Sequence, residues 1–225
     1  MKIINPATER VLKNLPEDDQ HSIFEKYQLA KQTQTRLAAQ SLEDRLIIVE
    51  KFCALLDKNL EKLAQVLTSE VGKPIAQSKN EIKGAQYRIQ YFLENSQRIL
   101  VDQEVFKDDQ MGEIISSEPL GVIANISAWN YPYLVGVNVF IPAMIAGNTV
   151  LYKPSEYASL TGLEIQKLWN QAGLDQGVFQ SVIGTGTTGS MLLDLPLDGY
   201  FFTGSYATGK KIYQKASEKM VPCQL

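Results

Sequence analysis

The chain has 225 residues, of which 44% are hydrophobic and 21% charged, and a formal net charge of -3 at pH 7. This length and composition are typical of one sizeable α/β domain or two small ones, and they argue against a globally disordered chain. Lysine and arginine are scattered among the acids instead of forming the basic stripe that nucleic-acid binding requires. We therefore expect small-molecule and cofactor partners, and no nucleic acid.

The amino terminus has no uninterrupted apolar stretch, so we expect no secretory signal and a cytoplasmic protein. The two cysteines have no paired spacing, which agrees with a reducing compartment. Residues 121–152 are mostly apolar but are interrupted by Asn125, Asn130, Pro132, Asn138 and Pro142. These residues are costly in a lipid-exposed helix, so the stretch predicts a buried strand, a loop and a helix, and no membrane contact.

The pattern from about 19 to 98 is helical. Capping boxes are predicted at Ser22 with Glu25, Ser41 with Asp44 and Ser78 with Glu81. One apolar stripe at helical spacing predicts a second helix that Gly72-Lys73-Pro74 ends; its members are Leu46, Val49, Cys53, Leu56, Leu60, Leu63 and Leu67. A third helix is predicted over roughly 79–98.

Residues from about 101 to 120 alternate apolar and charged positions and predict an extended ribbon. After them, short β-rich runs alternate with helices. Strands are predicted at 121–126, 149–152, 179–183, 200–202 and 221–225, and helices near 136–147, 158–172, 187–194 and 207–219. This alternation predicts an α/β fold in which a Rossmann-like parallel sheet is covered on both faces.

Gly184-Thr185-Gly186-Thr187-Thr188-Gly189 follows a predicted strand and matches the G-x-G-x-x-G pattern of phosphate-binding turns. A plain glycine-rich turn would look the same, and the expected acid about 20 residues later is missing. Glu156, however, lies just past the end of another strand, where ligands bind in open α/β sheets, with Lys153 beside it. These two residues favour the nucleotide interpretation.

Phe202-Thr203-Gly204-Ser205 ends a third predicted strand and opens a helix. Ser205 is predicted to cap that helix, whose first amides could hold a pyrophosphate. An ordinary helix cap is the alternative for this motif taken alone. Its coincidence with the other two strand-end motifs favours a shared ligand site.

Trp129-Asn130 before Pro132, Lys153-Pro154-Ser155-Glu156 and Phe202-Thr203-Gly204-Ser205, in this order and spacing, resemble the cofactor half of the aldehyde dehydrogenase family. The resemblance implies NAD as cofactor, with NADP as an alternative, and an aldehyde as substrate. Asn130 would donate to the oxyanion of the attacked aldehyde. The implied cofactor-binding residues are Ser127, Trp129, Lys153, Ser155, Glu156, Gly186, Gly189, Phe202, Thr203, Gly204 and Ser205. No metal site is expected.

The resemblance also implies an organisation. Residues 1–100 would be the helical part of the cofactor domain, 101–119 the start of the ribbon through which subunits associate, and 120–225 the NAD(P)-binding βα units. The family's Glu-Leu-Gly-Gly segment and catalytic cysteine would follow Leu225. We therefore expect the catalytic domain to be absent, the chain to be inactive alone, and Cys53 and Cys223 to be structural.

Within the family, the sequence as a whole resembles the succinate-semialdehyde branch, which implies a semialdehyde substrate. The expected partner is a second copy of the chain or a complementary carboxy-terminal half. Two alternatives stay open. One is a catalytically inactive nucleotide-binding or interaction module, or a split subunit; the other is an acyl-phosphate reductase of the same superfamily, which Glu156 and the Phe202–Ser205 motif fit less well.

Overall fold

The computed structural model describes residues 1–225 and contains nine strands and eight α-helices. The strands are β1 (Lys2–Ile4), β2 (Val11–Asn14), β3 (Gln103–Lys107), β4 (Gly112–Ile115), β5 (Val122–Ile126), β6 (Thr149–Lys153), β7 (Phe179–Ser181), β8 (Gly199–Phe202) and β9 (Cys223–Gln224). The helices are α1 (Gln20–Ala38), α2 (Leu42–Lys58), α3 (Leu60–Val71), α4 (Ile75–Leu100), α5 (Pro132–Ile145), α6 (Ser159–Ala172), α7 (Gly186–Asp194) and α8 (Tyr206–Lys219).

Five strands form a parallel sheet in the order β7-β6-β5-β8-β9. The central strands β5 and β6 are almost entirely buried, because helices cover both faces of the sheet. The larger hydrophobic core lies between one face and α2–α6, where Phe52 stacks on Trp169 with ring centroids 3.8 Å apart. A second core on the other face packs α1, α7 and α8. The predicted fold class is thus confirmed.

The single helix predicted from the stripe Leu46–Leu67 is two helices, because the chain breaks at Asn59. Asn59 caps the end of α2 by bonding the Leu55 carbonyl through both its backbone N–H (3.1 Å) and its side-chain amide (2.8 Å). The apolar spacing continues across this break, so the pattern alone did not reveal it.

Two predicted capping boxes were wrong. Helix α1 is capped by Asp19, whose carboxylate accepts from the Ser22 N–H (2.8 Å), so Ser22 is the third helical residue and not the cap. Ser78 lies inside α4, fully buried and 2.8 Å from the Thr68 hydroxyl. The third box was predicted with the correct cap: Ser41 caps α2, and its hydroxyl accepts from the Asp44 N–H (3.1 Å).

Two antiparallel hairpins lie outside the main sheet. The β1–β2 hairpin was not predicted; its turn is stabilised by Asn5, whose side chain accepts from the Ala7 N–H (2.9 Å). The β3–β4 hairpin lies within the predicted ribbon, and every residue of its two strands is exposed. Its apolar side chains therefore have no cover within the chain.

Candidate functional site

A cavity of about 540 Å³ lies at the carboxyl edge of the parallel sheet, where β5, β6 and β8 end. This cavity is lined by all twelve residues that were predicted from the sequence to bind cofactor or substrate. They are Ser127, Trp129, Asn130, Lys153, Ser155, Glu156, Gly186, Gly189, Phe202, Thr203, Gly204 and Ser205. The structure therefore brings together residues from four separate loops, as the shared polarity of parallel strands requires.

The loop after β5 carries Ser127, Trp129 and Asn130. The Ser127 N–H donates to the Lys153 carbonyl (3.0 Å), which extends the ladder between β5 and β6 into the loops. Trp129 is half exposed and meets Tyr157 edge to face, with ring centroids 6.2 Å apart. Asn130 accepts from the Tyr131 N–H (3.1 Å) through Oδ1, while its Nδ2 donates no hydrogen bond within the chain. An amide donor is thus free at the rim of the cavity.

Lys153, the last residue of β6, is an incompletely satisfied buried cation. The residue is only 4% exposed, and Nζ donates a single long hydrogen bond, to the Pro154 carbonyl (3.3 Å). Burial lowers the pKa of Lys153, and the charges of Glu156 and Glu17 oppose that shift. Because an ammonium group has three donors, Lys153 can bind further acceptor oxygens from a ligand.

Glu156 opens a short 3-10 helix, Glu156–Ala158, that is capped by Ser155. The Ser155 hydroxyl accepts from the Tyr157 N–H (3.4 Å) and lies 3.4 Å from Glu156 Oε2. No ion pair within 4 Å joins Glu156 to Lys153. A carboxylate acceptor and an ammonium donor therefore stand beside each other in the cavity, and neither neutralises the other in direct contact.

The glycine turn leads into α7. Gly184 has a φ of +155°, and a Cβ there would meet the Thr188 side chain, so the turn needs glycine at this position. Gly186 and Gly189 face the cavity, and a Cβ on Gly189 would lie 3.3 Å from the Lys153 side chain. The α7 cap, Thr185, makes no side-chain capping bond, which leaves amides of the first helical turn available to an anion.

The fourth loop follows β8. The Thr203 N–H donates to the Ile126 carbonyl (3.1 Å), which ties this loop to the end of β5. Ser205 caps α8, as predicted, and accepts from the Thr208 N–H (3.4 Å). A Cβ on Gly204 would collide with the Phe202 ring, so glycine lets the backbone pass close to that aromatic side chain.

Taken together, these groups fit a ligand with ribose and phosphate parts. Lys153 has unused donors, Glu156 is an acceptor for hydroxyls, and the starts of α7 and α8 offer backbone amides. No group of three or more histidine, cysteine or acidic side chains is arranged to hold a metal ion. No helix combines the length and apolarity that crossing a bilayer demands.

The cysteines lie away from this cavity. Cys53 and Cys223 are both half buried, and burial raises the pKa of each thiol. A thiol with a raised pKa is a poor nucleophile at neutral pH. Cys223 is not fully buried, because it lies on β9, the edge strand of the sheet.

Three residues behind the site loops were missed by the sequence. Glu81 and Lys73 contact the start of α5, and Glu70 accepts from the backbone N–H of Leu160 (2.6 Å) and Thr161 (2.9 Å) at the start of α6. No local pattern marks such residues, because their partners lie 52 to 91 positions further along the chain. In this region the sequence predicted only the Gly72-Lys73-Pro74 break and a capping box of Ser78 with Glu81, and neither was assigned to the site.

A larger cavity, about 650 Å³, adjoins the first and shares Trp129 and Glu156 with it. Its remaining walls come mainly from the β1–β2 hairpin and from Glu70 and Val71. We place the candidate site in the smaller cavity, because the strand-end motifs and the free donors of Lys153 lie there.

Comparison with known proteins gives a consistent picture. The model of the aldehyde dehydrogenase family matches residues 1–225. The N-succinylglutamate 5-semialdehyde dehydrogenase of Salmonella typhi is 33% identical over 214 residues, which are 95% of this chain and 43% of that protein. The chain thus spans less than half of the length of that relative.

Solved structures share the fold. An aldehyde dehydrogenase from Bartonella henselae superimposes with a TM-score of 0.94 at 27% identity, covering 99% of this chain and 47% of the other. An NADP-dependent glyceraldehyde-3-phosphate dehydrogenase from Bacillus halodurans, solved in complex with NADP, superimposes with a TM-score of 0.92 at 30% identity. That match covers 99% of this chain and 48% of the other.

Proposed function

The chain belongs to the aldehyde dehydrogenase family, and we propose that it provides the NAD(P)-binding site and one oxyanion donor for the oxidation of an aldehyde to a carboxylic acid. One observation carries this proposal: all twelve motif residues surround a single cavity at the carboxyl edge of the sheet. When bound, the cofactor accepts a hydride from the substrate.

In this proposal, separate groups of the chain bind the pyrophosphate, the ribose and the substrate. The amides at the starts of α7 and α8 bind the pyrophosphate, and Ser205 orders the second of these helix starts. Lys153 and Glu156 bind the hydroxyls of the adenosine ribose. Asn130 donates its Nδ2 to the developing oxyanion, a contact that typically lowers a barrier by about 3 kcal/mol.

The geometry favours NAD over NADP. A carboxylate at Glu156 accepts hydrogen bonds from a free 2′-hydroxyl but repels a 2′-phosphate. The buried ammonium of Lys153 acts in the opposite direction, because its unused donors suit a phosphate. We therefore propose that NADP also binds, but more weakly than NAD.

We assign the nucleophile and the general base to a complementary polypeptide segment. Neither thiol of the 225 residues lines the cavity, and burial raises the pKa of both. A semialdehyde is the proposed substrate class. It is supported by the 33% identity to the N-succinylglutamate 5-semialdehyde dehydrogenase of Salmonella typhi and by the resemblance to the succinate-semialdehyde branch.

Calorimetric titration of the chain with NAD⁺ and NADP⁺ tests the cofactor site. We expect NAD⁺ to bind more tightly than NADP⁺. The variant Glu156→Gln should reduce the ratio of the two dissociation constants. Glu164→Gln, which alters a lysine-paired acid outside the cavity, is the matched control and should leave the preference unchanged. Tighter binding of NADP⁺ that Glu156→Gln does not alter would contradict the assignment of the ribose contacts.

The enzymatic part of the proposal needs a second assay. A preparation of the chain with a complementary family segment should oxidise semialdehydes with NAD⁺, and Asn130→Ala should lower kcat by about 100-fold or more. Cofactor binding without turnover in that preparation would favour the alternative, a catalytically inactive nucleotide-binding module.

A further inference from the structure

Lys73 and Glu81 form an ion pair behind the Asn130 loop. The Glu81 side chain is completely buried and that of Lys73 is 11% exposed. Lys73 lies in the turn between α3 and α4, and Glu81 lies two turns into α4. The pair therefore reaches from the helical layer to the segment that follows β5, and neither member lines the cavity.

Both members of the pair contact the backbone of the Asn130–Tyr133 segment. Glu81 Oε1 accepts from the Tyr133 N–H (2.8 Å), one of the amides at the start of α5 that no helical carbonyl can satisfy. Lys73 Nζ donates to the carbonyl oxygen of Asn130 itself. The same ammonium lies 4.3 Å from the centre of the Tyr131 ring. Three contacts, to the Asn130 carbonyl, the Tyr131 ring and the Tyr133 N–H, thus hold this turn.

These contacts complement each other chemically. Burial raises the pKa of Glu81, and the adjacent Lys73 charge opposes that shift. The remaining lone pairs of the carboxylate meet an N–H at the positive end of α5, and a remaining proton of the ammonium meets a carbonyl. The bonds to the Tyr133 N–H and the Asn130 carbonyl, which add to the contact between the two charges, form only while the Asn130 turn keeps its present shape.

A purely stabilising role explains this arrangement poorly. Buried ion pairs contribute little net stability compared with apolar groups of similar volume. What the pair provides is two anchors, because charge-assisted hydrogen bonds are shorter and stronger than neutral ones. The anchored groups are the Asn130 carbonyl and the Tyr133 N–H, which flank the turn that carries the Asn130 side chain.

We propose that Lys73 and Glu81 are positioning residues that hold the Asn130 turn so that its Nδ2 amide points into the cavity. This inference rests on the proposed oxyanion role of Asn130. Neither residue lines the cavity, so neither touches the ligand. They act through the backbone of residues 130–133.

The test compares two paired substitutions in the full chain. Lys73→Met with Glu81→Gln removes both charges together, keeps an acceptor for the Tyr133 N–H and deletes the contact to the Asn130 carbonyl. The control, Lys79→Met with Glu61→Gln, removes a lysine–glutamate pair of 2.6 Å that joins α4 to α3 and contacts no site loop. Removing both charges avoids leaving one of them buried and unpaired.

Hydrogen exchange read by peptide mass spectrometry gives the decisive result. In the Lys73/Glu81 variant we expect amides of residues 128–135 to exchange about tenfold faster or more, while residues 160–172 exchange as in the unaltered chain. The single variant Lys73→Arg, which keeps a charged donor beside Glu81, should exchange over residues 128–135 as slowly as the unaltered chain. Unchanged exchange over 128–135, or an equal increase over 160–172 that reveals general destabilisation, would overturn the proposal.

Tryptophan fluorescence provides an independent check. The chain has two tryptophans, of which Trp169 is fully buried and Trp129 is half exposed next to Asn130. Acrylamide quenching therefore reports on Trp129, and we expect it to rise in the Lys73/Glu81 variant but not in the control. Failure of the unaltered chain to bind NAD⁺ would refute the proposed function, whereas the exchange data decide whether the turn is held by this pair.

Discussion

Glu70 should make the stability of this chain depend on pH. Glu70 is 4% exposed, and its carboxylate accepts from two N–H groups and the Thr161 hydroxyl at the start of α6. Burial is the largest influence and raises the pKa of Glu70 from 4.5 to about 7, although these three donors oppose the shift. The folded state therefore binds a proton that the unfolded state releases over this interval.

The sign and size follow from the two pKa values. Because the folded pKa is the higher one, Glu70 contributes stability that is fully present below about pH 4.5 and lost as the pH rises to about 7. A gap of about 2.5 pH units between the two pKa values, at about 1.4 kcal/mol per unit, corresponds to a total loss of about 3.5 kcal/mol in the free energy of unfolding, of which about 3 kcal/mol falls between about pH 4.5 and 8.

The perturbation is Glu70→Gln, which keeps the shape and one acceptor but cannot titrate. Urea unfolding followed by circular dichroism at pH 4.5 to 8 measures the free energy for both chains. The excess stability of the unaltered chain over the variant should shrink by about 3 kcal/mol across that range. Contributions common to both chains, such as that of Glu81, cancel in the difference.

Glu61→Gln is the control, because Glu61 is exposed and paired on the surface with Lys79. The free energy of unfolding of the Glu61→Gln variant should change with pH in the same way as that of the unaltered chain. If the Glu70→Gln curve is also parallel, the carboxylate does not hold a proton in the folded state, and the reasoning from burial is refuted.

Three further outcomes are expected. Ile114→Asp, on the exposed β3–β4 hairpin, should raise the dissociation constant of self-association about tenfold or more in sedimentation experiments, and unchanged sedimentation would count against a subunit contact there. Because burial raises the pKa of Cys53 and Cys223, both thiols should react slowly with Ellman's reagent at pH 7 until urea unfolds the chain; fast native labelling would contradict this. Lys219→Met removes donors to two carbonyl oxygens at the end of α7 and should cost about 1–3 kcal/mol in urea unfolding, whereas the surface variant Lys215→Met should cost less than about 1 kcal/mol.

The parallel sheet was predictable because its pattern is local. Apolar runs such as Val122–Ile126 are too short for helices and are bounded by turn residues, and each is followed by a helical period. Strand polarity then forces the following loops to one edge. That argument placed Lys153, Asn130 and Ser205 near each other without any knowledge of side-chain contacts.

What could not be predicted depends on distant partners or on weak local preferences. The break at Asn59 lies within an apolar spacing that is equally good for one helix, and it depends on a side chain that caps its own helix end. The β1–β2 hairpin has only three- and four-residue strands with polar surroundings, so it gives little periodicity. Neither feature changes the hydrophobic pattern on which the prediction rested.

The acids behind the site show a further limit of local patterns. Three loops at the carboxyl edge are each held by a carboxylate from the segment before β5: Asp18 accepts from the Ile183 N–H (2.7 Å), Glu70 from Leu160 and Glu81 from Tyr133. A backbone amide at a loop or helix start cannot stay buried without an acceptor. The strand-end carbonyls of the parallel sheet accept from some loop amides, such as those of Ser127 and Thr203, but not from those of Ile183, Leu160 and Tyr133. The segment before β5 supplies the acceptors for these three amides, so it contributes to the shape of the site as well as to the core.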